Sequence, residues 1–273
     1  LVIISTQGDQ RLDVPMAELG GKGAFTSELE RALYEQTIDI AVHSLKDLPT
    51  RLPESLIIGA VAPRADVHDV LISKHALTLA TLPHGATVGT GSTRRKAQLL
   101  HYRPDLSIMS LRGNVDTRIS KALARDGTYD AIVLAHAGVE RLEKHAVIRE
   151  KLSLDVMLPA PSQGAIAVQC HQDSAWLTMI EAIDHAETHV AVTLERAFLA
   201  GLGSGCSLPV GAYAYQTNDM WHLQARVLTH DGAQRWDTTR TWQTVHSRQE
   251  AENIGHDLAH EALTQGVATW LRP

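Results

Sequence analysis

Cysteine is scarce: Cys170 and Cys206 are the two in 273 residues. Two cysteines cannot build a disulfide framework, and nothing in the sequence points to export, so a reducing cytoplasm is the expected setting. Long apolar runs are missing as well. None approaches the roughly 18 residues that a membrane helix needs, so no membrane partner is expected, and no signal-peptide pattern opens the chain. There is no excess of positive charge either. The formal net charge of −6 argues against general nucleic-acid binding, and any basic site must be local. Internal repeats and low-complexity segments are absent.

What remains is ordinary for a soluble globular protein, with 44% hydrophobic and 21% charged residues, in a chain long enough for two or three domains. Short apolar runs alternate with helical patterns, the mark of an α/β fold. Strands are expected over Leu1–Ser5, Ile38–Val42 and Leu56–Val61, with a helix in "TSELERALYEQ" whose Ser27 and Glu30 have capping-box spacing. A second α/β unit begins near Asp69 with "DVLIS", "ATVGT", "LSIMSL" and "YDAIVLA" as strands. Its helices are expected over Arg94–His101, Val115–Asp126 and Val139–Lys144. "PRADVHD" (63–69) reads as a hinge, and "GAIAVQC" (164–170) as a further strand that follows the turn "LPAPSQG". Helices through Trp176–Ile183 and Val190–Leu202 come next. From Ser207 the residues alternate apolar and polar around "ND" and "DG" turns, giving an antiparallel sheet closed by a helix over Arg248–Gln265.

Several stretches carry chemistry. In "AVHSLKDLP", His43, Ser44, Lys46 and Asp47 gather where a strand ends, the usual place for sites in α/β sheets. A carboxylate beside a cation there suits proton transfer or stabilisation of a developing positive charge; a polar loop is the plainer account. "GTGSTRRKAQ" sets Ser92, Arg94 and Arg95 at a helix start, which reads as an anion site or as a solvated basic helix end, and its missing last glycine excludes a dinucleotide fingerprint. "SLRGNVDTR" repeats the logic with Arg112, Gly113 and Arg118, and the pair favours a ligand with several carboxylates or phosphates. "GGKGAF" is a lid or a linker but not a P-loop. His185 and His189, like His256 and His260, stand four apart without the other parts of a zinc motif, so no metal is expected and these histidines are read as exposed. Cys170 closes an apolar strand as a packed residue. Cys206, among glycines in "GLGSGCSLPVGAY", is either an inert loop cysteine or a thiol kept accessible for covalent attachment or attack.

Taken in order, "GGKGAFTSELE", "DIAVHSLKDLP", "GTGSTRRKAQL", "RPDLSIMSLRGNVDTR", "YDAIVLAHAG", "LPAPSQGAIAVQC" and "ERAFLAGLGSGCSLPVGAY" resemble the porphobilinogen deaminase family over almost the whole chain. The resemblance implies two α/β domains like the lobes of a periplasmic binding protein, at 1–63 with 164–184 and at 68–158, and a small α+β domain at 187–273. It implies a monomeric cytoplasmic transferase that joins four porphobilinogen molecules head to tail with loss of ammonia, giving linear hydroxymethylbilane in haem biosynthesis. It also implies a dipyrromethane cofactor held by a thioether to Cys206. Asp47 matches the catalytic aspartate. Arg94, Arg95, Arg112 and Arg118 match carboxylate-binding arginines, assisted by Lys46, Ser44, Ser92 and Gly113, with Arg141 a further candidate. Lys22 and Phe25 match a mobile loop, Asp9 a position near the pyrroles, and Gln163 the hinge back to the first domain. Three departures stand out. No Thr-Arg-x-Ser-x-Leu-Ala strand–helix precedes Leu1, which implies a missing segment, and Glu18 and Gly91 replace the usual lysine and serine. A degenerate, anion-binding relative without full turnover is the alternative expectation.

Overall fold

The computed structural model describes residues 2–4, 26–203 and 209–271. Its first stretch holds α1 (Ser27–Tyr34), β1 (Ile40–Ser44) and β2 (Leu56–Val61). The middle holds β3 (Asp69–Ser73), β4 (Thr87–Gly89), α2 (Thr93–Tyr102), β5 (Ser107–Met109), α3 (Val115–Leu123), β6 (Ala131–Ala135), α4 (His136–Glu140) and β7 (Glu150–Lys151). Then follow β8 (Ile166–His171), α5 (Leu177–Glu181), α6 (Ala186–Gly201), β9 (Val210–Thr217), β10 (Met220–Leu228), β11 (Arg235–Trp242) and α7 (Arg248–Thr264).

These strands form three sheets among the described residues. The first has the order β1-β8-β2, so the late strand β8 returns to pair antiparallel with both early ones. The second, ordered β5-β4-β6-β3-β7, mixes parallel pairs around β4 with antiparallel pairs around β3. β3 is buried along its whole length, as the unbroken apolar run "VLI" requires of a strand covered on both faces. The third is the meander β11-β10-β9, whose inner face meets α6 and α7 around Phe198, Leu194, Leu223 and Leu258. Phe198 stacks on Trp236 with centroids 6.1 Å apart. The two helices cross closely because Gly255 has no side chain: a Cβ there would lie 2.5 Å from the Leu194 carbonyl oxygen.

Two chain crossings join the first sheet to the second. The outgoing one, residues 62–68, is paired with the returning one through Ala62 N–H to Ile166 O and Ala65 N–H to Gly164 O. Gly164 takes φ +85°, and a Cβ there would sit 2.6 Å from the Ala65 oxygen, so the two crossings touch only because this residue is glycine. A buried ion pair ties the crossings to the third unit. Glu195 of α6 accepts both guanidinium nitrogens of Arg64, at 2.6 and 2.9 Å, as well as the Ser162 and Ala214 amides.

The structure corrects four expectations. Residues 2–4 form no strand although "LVIIS" is apolar; Ile3 is 91% exposed, and a strand needs a ladder partner, which these residues lack among the described chain. The N-cap of α1 is Thr26, with Ser27 already helical; Leu29 then stands at the third helical position and the Thr26 side chain makes no capping bond, so the expected capping box does not form. The helix expected over Val139–Lys144 instead starts at His136, straight after β6, because small Ala137 and Gly138 allow the chain to turn at once into a helix. Finally, His189 is buried, held at 2.8 Å from Asp184, while His185 caps α6 by accepting the Thr188 amide.

Candidate active site

A cleft of about 740 Å³ opens between the first and second sheets. One wall is the end of β1 and the start of β8, contributing Ser44, Lys46, Asp47 and residues 164–166. The other is the end of β6, α4 and the helix starts of the second unit, contributing Arg95, Arg118, Ala137, Gly138 and Arg141. Strand ends meet helix starts on both sides, which is where α/β folds gather polar groups.

Asp47 is presented by a single 3₁₀ turn, Leu45–Asp47. Leu45 is fully buried and anchors the turn from below, its amide bonding the Ala165 carbonyl at 3.0 Å. The apolar Leu45 and Leu48 therefore point inward while Lys46 and Asp47 are left exposed in the cleft. Neither side chain makes a hydrogen bond or ion pair among the described residues. The protein around Lys46 pushes its pKa down; Asp47 and Asp69 oppose this, and Arg95 and Arg94 add to it. Next to Ser44, His43 turns to the opposite face of β1. Its Nε2 lies 3.0 Å from Gln169 Oε1, and burial lowers its pKa against the pull of Gln169 and Asp47.

The arginines divide into two kinds. Arg94 and Arg95 converge on Asp69, the first residue of β3, which is completely buried. Arg94 Nη2 reaches Asp69 Oδ2 at 2.7 Å and Arg95 Nη2 reaches Oδ1 at 2.7 Å, while their Nη1 atoms donate to the Leu158 and Val133 carbonyls and Arg95 Nε adds a second bond to Asp69 Oδ1 at 3.1 Å. Burial would raise the Asp69 pKa, but the two guanidinium groups outweigh it and hold the carboxyl far below its usual range. Gln163 completes this knot, donating to Val67 O at 2.7 Å and to Asp69 Oδ1 at 3.0 Å. Ser92 is the N-cap of α2 and accepts the Arg95 amide at 3.3 Å. Of this group only Arg95 also lines the cleft.

Arg118 and Arg141 differ. Among the described residues Arg118 uses only its Nε, donating to the Gly113 carbonyl at 2.6 Å, and burial together with Arg95 lowers its pKa against the pull of Asp47. Arg141 lines the cleft with no side-chain partner among the described residues. Gly113 takes φ +116° at the start of the α3 turn, and Asn114 caps that helix through the Thr117 amide. Arg112 follows β5 on the same loop, and its carbonyl accepts from Lys121. Gly91 runs beside the Leu111 carbonyl, 3.0 Å from where a Cβ would stand. Cys170 is buried in β8 as expected, and burial raises its pKa. Asp9, Glu18, Lys22, Phe25 and Cys206 lie outside the described residues.

Sequence reasoning missed Arg64, Glu195 and Arg196. The signal was available: "LERAF" puts a carboxylate and a guanidinium side by side in an otherwise apolar helix, and such a pair needs buried partners.

Residues 1–179 match the porphobilinogen deaminase dipyromethane cofactor binding domain, and residues 189–264 the porphobilinogen deaminase C-terminal domain. The chain is 45% identical over 273 residues to the porphobilinogen deaminase of Moorella thermoacetica, covering 100% of this chain and 85% of that one. It is 44% identical over 266 residues to the Brevibacillus brevis enzyme (97% and 84%) and 45% over 268 residues to that of Syntrophotalea carbinolica (98% and 83%). The chain belongs to the porphobilinogen deaminase family.

Proposed function

We propose that the cleft between the first two sheets is the active site of a hydroxymethylbilane synthase, with Asp47 as its catalytic carboxylate and Cys206 as the attachment point of dipyrromethane. The observation that carries this reading is the set of charges in the cleft that the fold leaves unengaged. Lys46, Asp47 and Arg141 have no side-chain partner among the described residues, and Arg118 keeps both terminal nitrogens unbonded. A polypyrrole bearing acetate and propionate groups is a polyanion, so the donor set fits dipyrromethane and the lengthening product alike.

When bound, dipyrromethane supplies the pyrrole α-carbon to which the first substrate is joined. The chain's own residues do the rest. Arg118, Arg141 and Lys46 hold substrate carboxylates, Arg95 adds positive charge to the cleft lining while bonded to Asp69, and Ser44 and Ser92 serve as hydroxyl donors with Arg112 a further carboxylate-binding candidate. Loss of ammonia from porphobilinogen leaves positive charge on its pyrrole nitrogen. Asp47, fixed on a turn whose base is locked by Leu45, offers negative charge there without having to reorganise. The same carboxylate then accepts a proton as the joined pyrroles regain aromaticity. The three sheets support a division into 1–63 with 164–184, 68–158, and 187–273.

Asp47→Asn keeps the shape and removes the charge. Its turnover is expected to fall by about 10²–10⁴-fold, as for loss of a positioned acid–base group, with dipyrromethane still detected by intact mass. Wild-type turnover would refute the assignment. Cys206→Ser is expected to lose both the cofactor mass and the colour reaction with Ehrlich's reagent; an unchanged mass sinks the tether.

A further inference from the structure

Arg196 lies on α6, the helix that runs to Gly201 and on toward the Cys206 segment. Its guanidinium has no carboxylate partner among the described residues, and burial alone lowers its pKa to about 10. It donates instead to three backbone carbonyls. Nη1 reaches Leu45 O at 3.3 Å and Leu48 O at 3.0 Å, and Nη2 reaches Pro49 O at 2.5 Å. These carbonyls bracket Asp47. The adjacent Glu195 faces a different set of groups, the Arg64 fork and two amides, so the two neighbouring charges do not serve one another.

A half-buried cation without a carboxylate partner among the described residues is costly, and a hydrophobic side chain would fill the same space with less penalty. What the guanidinium adds is its planar fork, which fixes several acceptors at once. On its other side the Asp47 turn is attached to the first sheet by the Leu45 amide bond to Ala165. Arg196 thus supplies the second attachment, from a helix that belongs to the third sheet's layer.

We propose that Arg196 is a positioning residue that locks the turn presenting Asp47 to the helix leading into the cofactor-bearing segment. This rests on the reading of Asp47 as the catalytic carboxylate.

The test compares the Arg196→Met and Arg196→Lys holoenzymes with wild type and Asp47→Asn. Cofactor loading is read by intact mass, stability by urea unfolding, and kcat and KM with porphobilinogen. Both Arg196 variants are expected to carry dipyrromethane and to keep KM within about twofold. The kcat of Arg196→Met should fall about 10²-fold, the scale of a small misplacement of a reacting group. Arg196→Lys, which retains the charge but can satisfy fewer carbonyls, should fall about tenfold, a partial rescue. If Arg196→Met does not accumulate folded, Arg196→Lys decides alone: reduced kcat at unchanged KM supports the proposal, and wild-type kcat overturns it. Full kcat in Arg196→Met beside an inactive Asp47→Asn overturns this inference only, whereas full kcat in Asp47→Asn overturns the reading of the site beneath it.

Discussion

Two carboxylate–cation groups stand at strand ends in this molecule, and they have opposite fates. Lys46 and Asp47 follow β1 and face the cleft with no bonded partner among the described residues. Asp69 opens β3, is fully buried, and is bonded to Arg94, Arg95 and Gln163. The residue chemistry is the same, but the packing beneath differs. Leu45 and Leu48 sink into the core and leave the charges between them outside, whereas β3 carries its carboxylate inside with the strand. A buried charge must be paired to be tolerated; one left in a cleft is available to a ligand. The first arrangement therefore reads as chemistry and the second as the joint that orients it.

Asp69→Asn is the strongest test of that contrast. Removing one partner from a buried pair leaves uncompensated charge, here two guanidinium groups, and is expected to cost about 3–5 kcal/mol in urea unfolding. Asp47→Asn, in solvent reach, is expected to stay within about 0.5 kcal/mol of wild type. The pH dependence follows from sign. The Asp69 pKa is depressed by Arg94 and Arg95, so its contribution is complete above the unfolded carboxylate value of about 3.9 and is lost as pH falls through the lower folded value. The stability gap between wild type and Asp69→Asn should therefore narrow below about pH 4. A gap that widens there would contradict the ion-pair account.

Gly164→Ala comes next, because it strikes the crossing between the two regions. Its positive φ and the 2.6 Å approach to Ala65 O predict a loss of about 1–3 kcal/mol. Arg141→Gln should behave in the opposite sense. With no side-chain partner to abandon among the described residues, it leaves the unfolding midpoint unchanged but raises KM for porphobilinogen about tenfold, the equivalent of about 1.4 kcal/mol. A destabilised Arg141→Gln with unchanged KM would move Arg141 into the structural class.

The sequence made much of this legible where the signal was local. Leu56–Val61 and Asp69–Ser73 are bounded by turn residues and emerge with the expected ends, and the "ND" and "DG" turns separate β9, β10 and β11. The chemical type of Arg94 and Arg95 was visible too, but their partner was not, since Asp69 lies 25 and 26 positions away and only the β3–β6 pairing brings it beneath α2. For the same reason Arg196 is invisible as a support for Asp47, 148 positions from Leu48. Periodicity reports which face of an element is buried, and it says nothing of which distant carbonyl will need a donor.

Ser92 sits between the two regions and gives the smallest and finest prediction. Its hydroxyl oxygen already accepts the Arg95 amide at 3.3 Å, so it helps start the helix that carries both members of the buried knot. Accepting that bond does not use the hydroxyl proton, which remains available to a substrate carboxylate. Ser92→Ala should therefore lower stability by about 1 kcal/mol through the lost cap, and raise KM by only about twofold, less than Arg141→Gln. Ser92→Gly restores most of the cap preference but not the proton. Its stability should return to within a few tenths of a kcal/mol of wild type while its KM stays with that of Ser92→Ala. If both quantities instead recover together in the glycine variant, the hydroxyl proton takes no part in binding, and Ser92 belongs wholly with the structural group.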